Sequence, residues 1–291
     1  MSWRVAVVSS NAKVDYKMDY LVVRTLEEVR RIHLSEVGVL VLESTAISIT
    51  AYLLCELIRR KIKVIVCDHH RNPCAELVPV SGSHDSSAKI RRQLQWREEV
   101  CRQVWTEIVR EKLHRQRDHL LSRQLPQAEL LTIYLSQLQW NDSSNREGHA
   151  AKVYFNALFG PEFTRSGTSP INAALNYGYS LILSAINREI SAAGYLNQLG
   201  ICHQNTFNPF NLACDFIEPL RPLVDHTVKS MQPEKLEREE KLVLLSLLNR
   251  DVFYDGKKQS LLYAIRLYCT SLLRVLESGD PAEIKWIDYE W

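Results

Sequence analysis

The sequence predicts an α+β protein in which a small N-terminal β-rich domain is followed by a larger, all-α C-terminal domain. Two observations support this prediction. Short apolar runs rich in β-branched residues lie near the start of the chain, and long segments with helical periodicity fill the remainder. Glycine and proline each occur only 10 times among 291 residues, which favours long uninterrupted elements. A chain of this length is expected to form about two domains.

Five apolar runs before residue 84 have the length of a β-strand, and each is bounded by charged or turn-forming residues. One helix is expected to interrupt them near residues 47–60, where apolar residues recur at helical spacing. The N-terminal part of the chain is therefore predicted to be mainly β-structure. The predicted strands are residues 4–9, 20–24, 37–42, 62–67 and 76–80.

A polar stretch at residues 81–87, reading Ser-Gly-Ser-His-Asp-Ser-Ser, is the predicted linker between the two domains. The domains are accordingly expected at residues 1–84 and 85–291. Strand signals nearly vanish after the linker, and helical periodicity takes their place. The predicted helices are residues 88–123, 126–139, 145–159, 170–193, 209–230, 235–249 and 258–277.

Prolines and capping residues indicate where several helices begin. Pro126, Pro170 and Pro209 stand at predicted helix starts, a position at which a missing N–H costs nothing. Asn208 is expected to cap the helix that starts at Pro209. One of residues 143–145 (Ser, Ser, Asn) is expected to cap the helix that starts near 145.

Composition and charge exclude several classes of protein. Hydrophobic residues make up 46% and charged residues 24%, which excludes a largely disordered chain. The net charge is only +2, so a nucleic-acid partner has to be argued from local charge. Apolar runs of about six residues fall far short of the ~18 that a membrane span needs, so a cytoplasmic protein without a membrane partner is expected. Seven cysteines without a C-x-x-C pair indicate reduced thiols.

Positive charge is concentrated between Lys89 and Gln124, where ten Lys and Arg residues accompany five acids. The net charge of this basic segment, 10 − 5 = +5, exceeds that of the whole chain. Basic side chains along a helix can neutralise phosphates and release counterions, so one interpretation is nucleic-acid contact. The other is a solvated helix with ion pairs at i,i+3 and i,i+4, and the sequence leaves both open. The pairs would be Glu98–Arg102, Glu107–Arg110 and Glu111–Arg115.

Residues 200–225 contain two acids on a helix that two prolines must interrupt. Asp215 and Glu218 are three residues apart and therefore share one helix face. Pro219 and Pro222 cannot donate backbone hydrogen bonds, so the helix is expected to kink or break directly after the acids. His203 lies a short loop upstream. A kinked helix with two acids near a histidine indicates a functional site rather than packing.

Divalent-metal binding is the chemistry that these residue types favour. Carboxylate oxygens suit Mg²⁺ and Mn²⁺, and one imidazole shifts the preference towards Mn²⁺ or tolerance of both. Glu147, in the first turn of the helix predicted from residue 145, is the next candidate ligand. The alternative is that these are surface acids and a hydrogen-bonded histidine, since acids favour first turns because of the helix dipole.

Four motifs occur in order along the chain. They are Arg146-Glu-Gly-His-Ala-Ala-Lys-Val-Tyr-Phe155, Ser169-Pro-Ile-Asn-Ala-Ala-Leu-Asn-Tyr-Gly-Tyr179, His203-Gln-Asn and Asp215-Phe-Ile-Glu-Pro-Leu-Arg-Pro222. With them the chain closely resembles the Cas1 family of CRISPR-associated integrases, which catalyse spacer acquisition. Three N-terminal segments, at residues 3–4, 32–36 and 84–87, look typical of members from type II systems, which use a single large RNA-guided effector nuclease. The resemblance covers nearly the whole chain.

The resemblance implies an N-terminal β-sandwich-like domain, which forms a homodimer, and a helical catalytic domain. The family's metal ligands are a glutamate, a histidine and a downstream acid. By motif these correspond to Glu147, His203 and Glu218, which would hold Mg²⁺ or Mn²⁺ and carry the catalysis. The candidate supporting residues are Asp215, Arg221 and Tyr177.

The resemblance also implies phosphoryl transfer on double-stranded DNA. The 3′-hydroxyl of a captured fragment, the new spacer, would attack the CRISPR array at the leader–repeat boundary. Family members act with a small CRISPR-associated partner dimer and with other adaptation proteins of the same system. The basic segment is the natural candidate for DNA contact. Its candidate residues are Lys89, Arg91, Arg92, Arg97 and Arg102.

Two other functions stay open. One is a general metal-dependent nuclease that cuts branched or repair intermediates, with water as the nucleophile at the same site. The other is a non-catalytic DNA-binding scaffold, which would be indifferent to substitution of Glu147 or His203 by alanine. An assay that separates strand joining from strand cutting distinguishes the nuclease from an integrase.

Overall fold

The computed structural model describes residues 4–79 and 83–291, and it confirms that strands come first and helices follow. Two four-stranded sheets form the N-terminal region. Their strands are β1 (Arg4–Val8), β2 (Ala12–Lys17), β3 (Tyr20–Arg24), β4 (Val29–His33), β5 (Val37–Leu42), β6 (Ile47–Ile49), β7 (Lys63–Cys67) and β8 (Pro73–Glu76). One helix, α1 (Ala51–Arg59), lies between β6 and β7.

The first sheet has the order β1-β5-β7-β8, and only β8 runs antiparallel to its neighbour. All six residues of β5 are buried, because the sheet is covered on both faces. On one face, Val39, Val41 and Ile65 belong to the core of the helical region. On the other face, Leu40 and Val64 pack with the second sheet and α1. The alternation along a strand thus assigns neighbouring residues to two different cores.

The second sheet, β4-β3-β2-β6, contains three strands that the sequence did not predict: β2, β4 and β6. Polar and charged residues interrupt β2 and β4, so no continuous apolar run marks them. The helix expected over residues 47–60 begins only at Ala51, where Thr50 Oγ1 accepts a hydrogen bond from Leu53 N at 3.3 Å. Residues 47–49 pair with β2 instead.

The expected strand at residues 76–80 lies earlier along the chain, as β8. Residue 80 falls outside the described residues, and so does the start of the predicted linker at 81–87. The end of that linker is already helical, because the first helix of the second region begins at Ser86.

Nine α-helices follow in the part of the second region that the structure describes. None of the helices in residues 4–79 and 83–291 combines the length and apolar character needed to cross a bilayer. The nine helices of the second region are α2 (Ser86–Gln93), α3 (Glu98–Ser122), α4 (Ala128–Ser136), α5 (Arg146–Phe159), α6 (Pro170–Ala193), α7 (Asn211–Ile217), α8 (Arg221–Met231), α9 (Arg238–Ser246) and α10 (Leu261–Ser278).

The expectation of an all-α second region needs one correction. A small three-stranded sheet lies near the end of the chain, in the order β10-β9-β11. Its strands are only two to four residues long, too short for periodicity to reveal. They are β9 (Asp251–Tyr254), β10 (Lys257–Ser260) and β11 (Ile287–Asp288).

Two segments expected to be continuous helices are divided. Residues 88–123 form α2 and α3, with a break at residues 94–97. The helix expected over 209–230 begins only at Asn211, and the two prolines divide it into α7, a 3-10 turn (Glu218–Leu220) and α8. Asn208 does not cap α7; its side chain accepts a hydrogen bond from Phe210 N at 3.0 Å, before the helix starts.

Candidate active site

Three charged side chains from three elements meet beside α3. Glu147 stands in the first turn of α5, Glu218 follows α7 directly, and Lys112 lies in the middle of α3. The Lys112 ammonium donates one hydrogen bond to Glu147 Oε1 and another to Glu218 Oε2, the latter at 2.5 Å. Lys112 and Glu218 are buried. The structure thus brings two of the predicted site residues to a single cation.

The turn before α5 places Glu147. Asn141, Asp142 and Asn145 adopt left-handed backbone conformations, with φ angles of 56°, 46° and 51°, which are uncommon for residues other than glycine. The Asp142 carboxylate accepts hydrogen bonds from the backbone N–H groups of Arg146 (2.7 Å) and Glu147 (3.0 Å). Asp142, rather than a side chain from residues 143–145, therefore caps α5.

Glu218 is held between two cations at the point where the helix breaks. Its Oε1 accepts a hydrogen bond from Arg221 Nε at 2.8 Å, while Oε2 takes the Lys112 ammonium. Burial alone would raise the pKa of the Glu218 carboxyl, but the charges of Arg221 and Lys112 outweigh it and lower this pKa to about 2. Burial likewise favours the neutral amine of Lys112, yet the two glutamates raise its pKa. Glu218 and Lys112 are therefore both charged at neutral pH.

Asp215 fixes the loop that carries His203. Its buried carboxylate accepts hydrogen bonds from the backbone N–H groups of Ile201 (2.7 Å), Cys202 (3.2 Å) and His203 (3.0 Å). The same carboxylate bonds His203 Nδ1 at 2.6 Å, and this contact raises the pKa of the imidazole. Trp105 of α3 meets the imidazole edge-on. Because Nδ1 is engaged, Nε2 is the nitrogen left for another ligand.

Among the described residues, no three histidine, cysteine or acidic side chains lie close enough together to hold a metal ion. The Lys112 ammonium takes the position between the two glutamates. The charges of Glu218 and Glu147 also contribute to the raised pKa of His203, so the imidazole lies within their electrostatic reach. Two carboxylates and one imidazole suit Mg²⁺ or Mn²⁺ by type, and the ammonium shows that the glutamates accept a cation between them.

The structure does not place Tyr177 at the site, although the resemblance implied a supporting role for it. The Tyr177 ring lies near the Lys241 ammonium, 5.4 Å from the centroid. Its neighbour Tyr179 instead lies under the Arg221 guanidinium, 4.7 Å from the ring centroid, and so stabilises the cation that holds Glu218. Residues two apart on a helix point about 200° apart, so only one of the two tyrosines can face the acids.

Lys112, Asp142 and Tyr179 were not assigned to the site from the sequence. Lys112 counted only as one of ten basic residues in its segment, and its two partners lie 35 and 106 residues away along the chain. Spacing therefore carries no signal for it. The sequence does carry a signal for Asp142, since an acid just before an expected helix start is a common capping residue.

Most charges of the basic segment are compensated within the protein. Arg91 and Arg97 are exposed, and neither has an acidic partner in the part of the chain that the structure describes. The ion pairs predicted from the sequence all form, and two more involve candidate DNA-binding residues. The pairs are Glu98–Arg102, Glu107–Arg110, Glu111–Arg115, Asp85–Lys89 and Arg92–Glu277.

The two sheets, the helical region and the charged cluster define an α+β protein with an acid-and-histidine site in its helical part. Residues 5–245 match the family model described as CRISPR associated protein Cas1. This chain therefore belongs to the Cas1 family, and the resemblance seen in its motifs is confirmed.

Individual relatives agree with this assignment. A CRISPR-associated endonuclease Cas1 from Neisseria meningitidis is 36% identical over 230 residues, which are 78% of this chain and 75% of that protein. A casposase bound to an integration product has the same fold, with a TM-score of 0.75, 19% identity and coverage of 96% and 92%. The match to a Cas6-RT-Cas1–Cas2 complex also has a TM-score of 0.75 and 19% identity; it covers 99% of this chain but 36% of that longer chain.

We expect Asp215→Asn to loosen the loop before His203. The new amide nitrogen cannot accept the hydrogen bonds from Ile201 and Cys202, so the free energy of unfolding should fall by about 2–3 kcal/mol. Chemical denaturation measures this loss, and hydrogen exchange should accelerate at those two amides. The matched control is Asp68→Asn, because Asp68 caps two loop amides at an exposed position and should cost about 0.5 kcal/mol or less. Equal losses in both variants would contradict the prediction.

Proposed function

We propose that this chain is a metal-dependent CRISPR adaptation integrase. It joins the 3′-hydroxyl of a captured DNA fragment to the CRISPR array at the leader–repeat boundary, by transesterification at a phosphodiester. The observation that carries the proposal is the cluster at Lys112, in which two glutamates from separate elements share one cation near an anchored histidine. The names of two relatives, an endonuclease and a casposase bound to an integration product, agree with it.

Glu147, Glu218 and Nε2 of His203 are the proposed ligands of Mg²⁺ or Mn²⁺. Three protein ligands leave about three octahedral positions for water and phosphate oxygens. When bound, such an ion polarises the scissile phosphate and lowers the pKa of the attacking hydroxyl.

The chain's own residues prepare this site in three ways. Asp215 engages Nδ1 of His203, so that only Nε2 is available to a ligand. Arg221 keeps Glu218 ionised. Lys112 neutralises both glutamates, and a divalent ion held by them would have to displace its ammonium, because like charges repel. An ammonium displaced in this way could donate to a phosphate oxygen of the DNA.

Double-stranded DNA, a small CRISPR-associated partner dimer and other adaptation proteins of the same system are the proposed binding partners. A relative of known structure that is named as a complex of Cas1 with Cas2 supports a protein partner. Within the basic segment, DNA contact is proposed first for Arg91 and Arg97. Their charges are not compensated by acids of the described residues, so they can neutralise phosphates without breaking an ion pair.

A general metal-dependent nuclease is the second candidate, because one relative is named an endonuclease and the same cluster can activate water. A non-catalytic scaffold is disfavoured by the cluster itself. Three buried or half-buried charges and an anchored histidine are a costly arrangement for a protein that only binds DNA.

Replacing Lys112 tests the metal site directly. Lys112→Met removes the cation that the two glutamates share and leaves only Arg221 beside Glu218, so the metal-free variant should lose about 3–5 kcal/mol of unfolding free energy. Mn²⁺ at about 100 times its Kd should then restore about 2.7 kcal/mol. The unfolding free energy of the wild type should rise less on addition of Mn²⁺, because the ion has to displace the Lys112 ammonium. Thermal and chemical denaturation with and without Mn²⁺ measure both effects.

The control is Lys241→Met. Lys241 is also buried, but its ammonium donates to His70 O at 2.7 Å and Asn72 Oδ1 at 3.2 Å, away from the glutamates. This variant should be destabilised and should respond to Mn²⁺ as the wild type does. The same Mn²⁺ response in both lysine variants would refute a metal site between Glu147 and Glu218.

An integration assay separates catalysis from DNA affinity. Glu147→Gln and His203→Ala should abolish Mg²⁺- or Mn²⁺-dependent strand joining and leave duplex binding nearly unchanged, because the lost interactions act in the transition state. The double variant Arg91→Glu/Arg97→Glu should bind duplex DNA more weakly. Each lost phosphate contact should reduce the slope of log Kd against log salt by about 0.9. Its joining rate should recover at low salt or high DNA concentration.

Each outcome of this assay has a distinct meaning. Adding Arg92→Glu to the double variant should change the duplex affinity and the salt slope little further, since Arg92 is already paired with Glu277. Cut strands without joined strands would favour the nuclease, and full activity of Glu147→Gln would favour the scaffold. An unchanged salt slope for the arginine variant would show that this segment is only a solvated face.

We propose that the chain forms a homodimer through its N-terminal sheets. Four apolar side chains in or beside the β2-to-β4 hairpins are exposed, and an exposed apolar surface favours burial in an interface. Light scattering at micromolar concentration should give twice the chain mass, and a monomer would contradict the proposal. These side chains are Met18, Tyr20, Leu26 and Val29.

A further inference from the structure

Two buried tyrosines from the C-terminal part of the chain contact the backbone on either side of Glu218. The hydroxyl of Tyr268, in α10, donates a hydrogen bond to Phe216 O at 3.0 Å. The hydroxyl of Tyr289, directly after β11, donates a hydrogen bond to Pro219 O at 3.0 Å. The first carbonyl lies before Glu218 along the chain, and the second directly follows it. The helix break that carries Glu218 is therefore held by two elements that are distant from it in sequence.

Both phenols are suited to holding a carbonyl, because each keeps its proton. Burial raises the pKa of Tyr268 and of Tyr289, so each O–H remains a hydrogen-bond donor. Both hydrogen bonds are buried, so bulk water does not compete for the carbonyls. The charge of Glu218 also contributes to the raised pKa of Tyr268, and this ring therefore lies within electrostatic reach of the carboxylate.

Helix α3 holds Tyr289 as well as Glu218. Arg115 lies three residues after Lys112, and hence on the same face of α3. Its Nη2 donates a hydrogen bond to Asp288 Oδ1 at 2.7 Å, and its guanidinium lies over the Tyr289 ring, 4.9 Å from the centroid. One face of α3 thus holds the Glu218 carboxylate and, through Arg115, the tyrosine that contacts the next carbonyl.

The two prolines explain why this backbone needs support from outside. Pro219 and Pro222 have no N–H group, so the break has fewer hydrogen bonds of its own than a regular helix of the same length. The direction of the Glu218 side chain depends on this backbone. A small rotation would move the carboxylate away from Lys112, and displacements of about 1 Å in an active site can reduce its activity strongly.

We propose that Tyr268 and Tyr289 are positioning residues of the active site, whose hydroxyls fix the backbone around Glu218 so that its carboxylate meets Lys112 or a metal ion in its place. This inference rests on the proposed function for the metal ion and extends it, because it gives α10 and the C-terminal sheet a part in the site. Neither hydroxyl is a proposed ligand, and each acts through Glu218.

The first test is a double-mutant cycle on the full chain in EDTA, measured by chemical denaturation. Tyr289→Phe removes the hydroxyl and keeps the ring. In the wild type it should raise the unfolding equilibrium constant by more than the ~5-fold expected for one lost hydrogen bond, because the ion pair of Lys112 with Glu218 also weakens. In the Lys112→Met background only the hydrogen bond is lost. The two substitutions should therefore be coupled by about 2- to 150-fold.

The matched control is Tyr254→Phe. Tyr254 belongs to β9, in the same sheet as β11, and its hydroxyl also donates to a backbone carbonyl, Leu267 O at 3.1 Å. That carbonyl belongs to α10 and not to the helix break. The effect of Tyr254→Phe should therefore be additive with that of Lys112→Met. Tyr268→Phe, in contrast, should be coupled to Lys112→Met as Tyr289→Phe is.

The affinity for Mn²⁺ gives a second measurement, which does not depend on the folding of the Lys112 variant. The Kd can be obtained from the EPR signal of free Mn²⁺. It should rise about 10-fold in Tyr268→Phe and in Tyr289→Phe, the lower end of the effect of residues that support a metal ligand. The Kd of Tyr254→Phe should equal that of the wild type.

The outcomes separate positioning from simple packing in the core. Additive effects of the two tyrosine substitutions with Lys112→Met would overturn the proposal, and so would a Kd for Mn²⁺ that matches the control. If the wild type binds no Mn²⁺, the proposed metal site fails, whereas the coupling in EDTA still decides the role of the tyrosines. If the wild type binds Mn²⁺ and joins strands but the coupling is absent, this inference alone fails.

Discussion

The burial of a single ammonium group, that of Lys112, governs how the helical region is arranged. A buried charge without partners would cost several kcal/mol, of the order of a large part of a domain's stability. α3 is therefore stable in its position only when Glu147 and Glu218 face it from two other elements. The start of α5, which Asp142 caps, and the end of α7, where the prolines interrupt the helix, both meet this requirement. The proline-induced break helps to meet the requirement, because Glu218 can turn towards α3 at the end of a short helix.

Two other carboxylates organise the chain close to the cluster. Asp142 and Asp215 each accept hydrogen bonds from consecutive backbone N–H groups, and each thereby holds a loop that carries a proposed ligand. Their partners lie only 4 or 5 residues away for Asp142 and 12 to 14 residues away for Asp215. Local hydrogen bonds thus hold each of the two segments that carry proposed ligands, one at Asp142 and one at Asp215. The long-range hydrogen bonds of Lys112 join these two segments.

The parts of the structure that could be predicted from sequence are those whose signal is local. The bounds of α6 (Pro170–Ala193) agree with the prediction, because a proline and a long apolar period mark it, and the fully apolar β5 was equally clear. In the second sheet β3 was predicted, whereas β2, β4 and β6 were missed, as were the three strands of the third sheet, because pairing partners rather than periodicity define them. Motif resemblance indicated Glu147 and Glu218, yet it chose Tyr177 rather than Tyr179, since a motif does not say which face of a helix meets the acids.

The first sheet has a consequence for how such a chain can be divided or exchanged. Its two faces close two different cores, with Val39 and Val41 in one and Leu40 in the other. A cut at the predicted boundary near residue 84 would leave the helical fragment without one wall of its interior. The same holds for evolution by recombination: a foreign N-terminal segment would have to reproduce the inward and outward pattern of β5 and β7 together. Insertions are tolerated more easily in the loops of the second sheet, which closes only one of these cores.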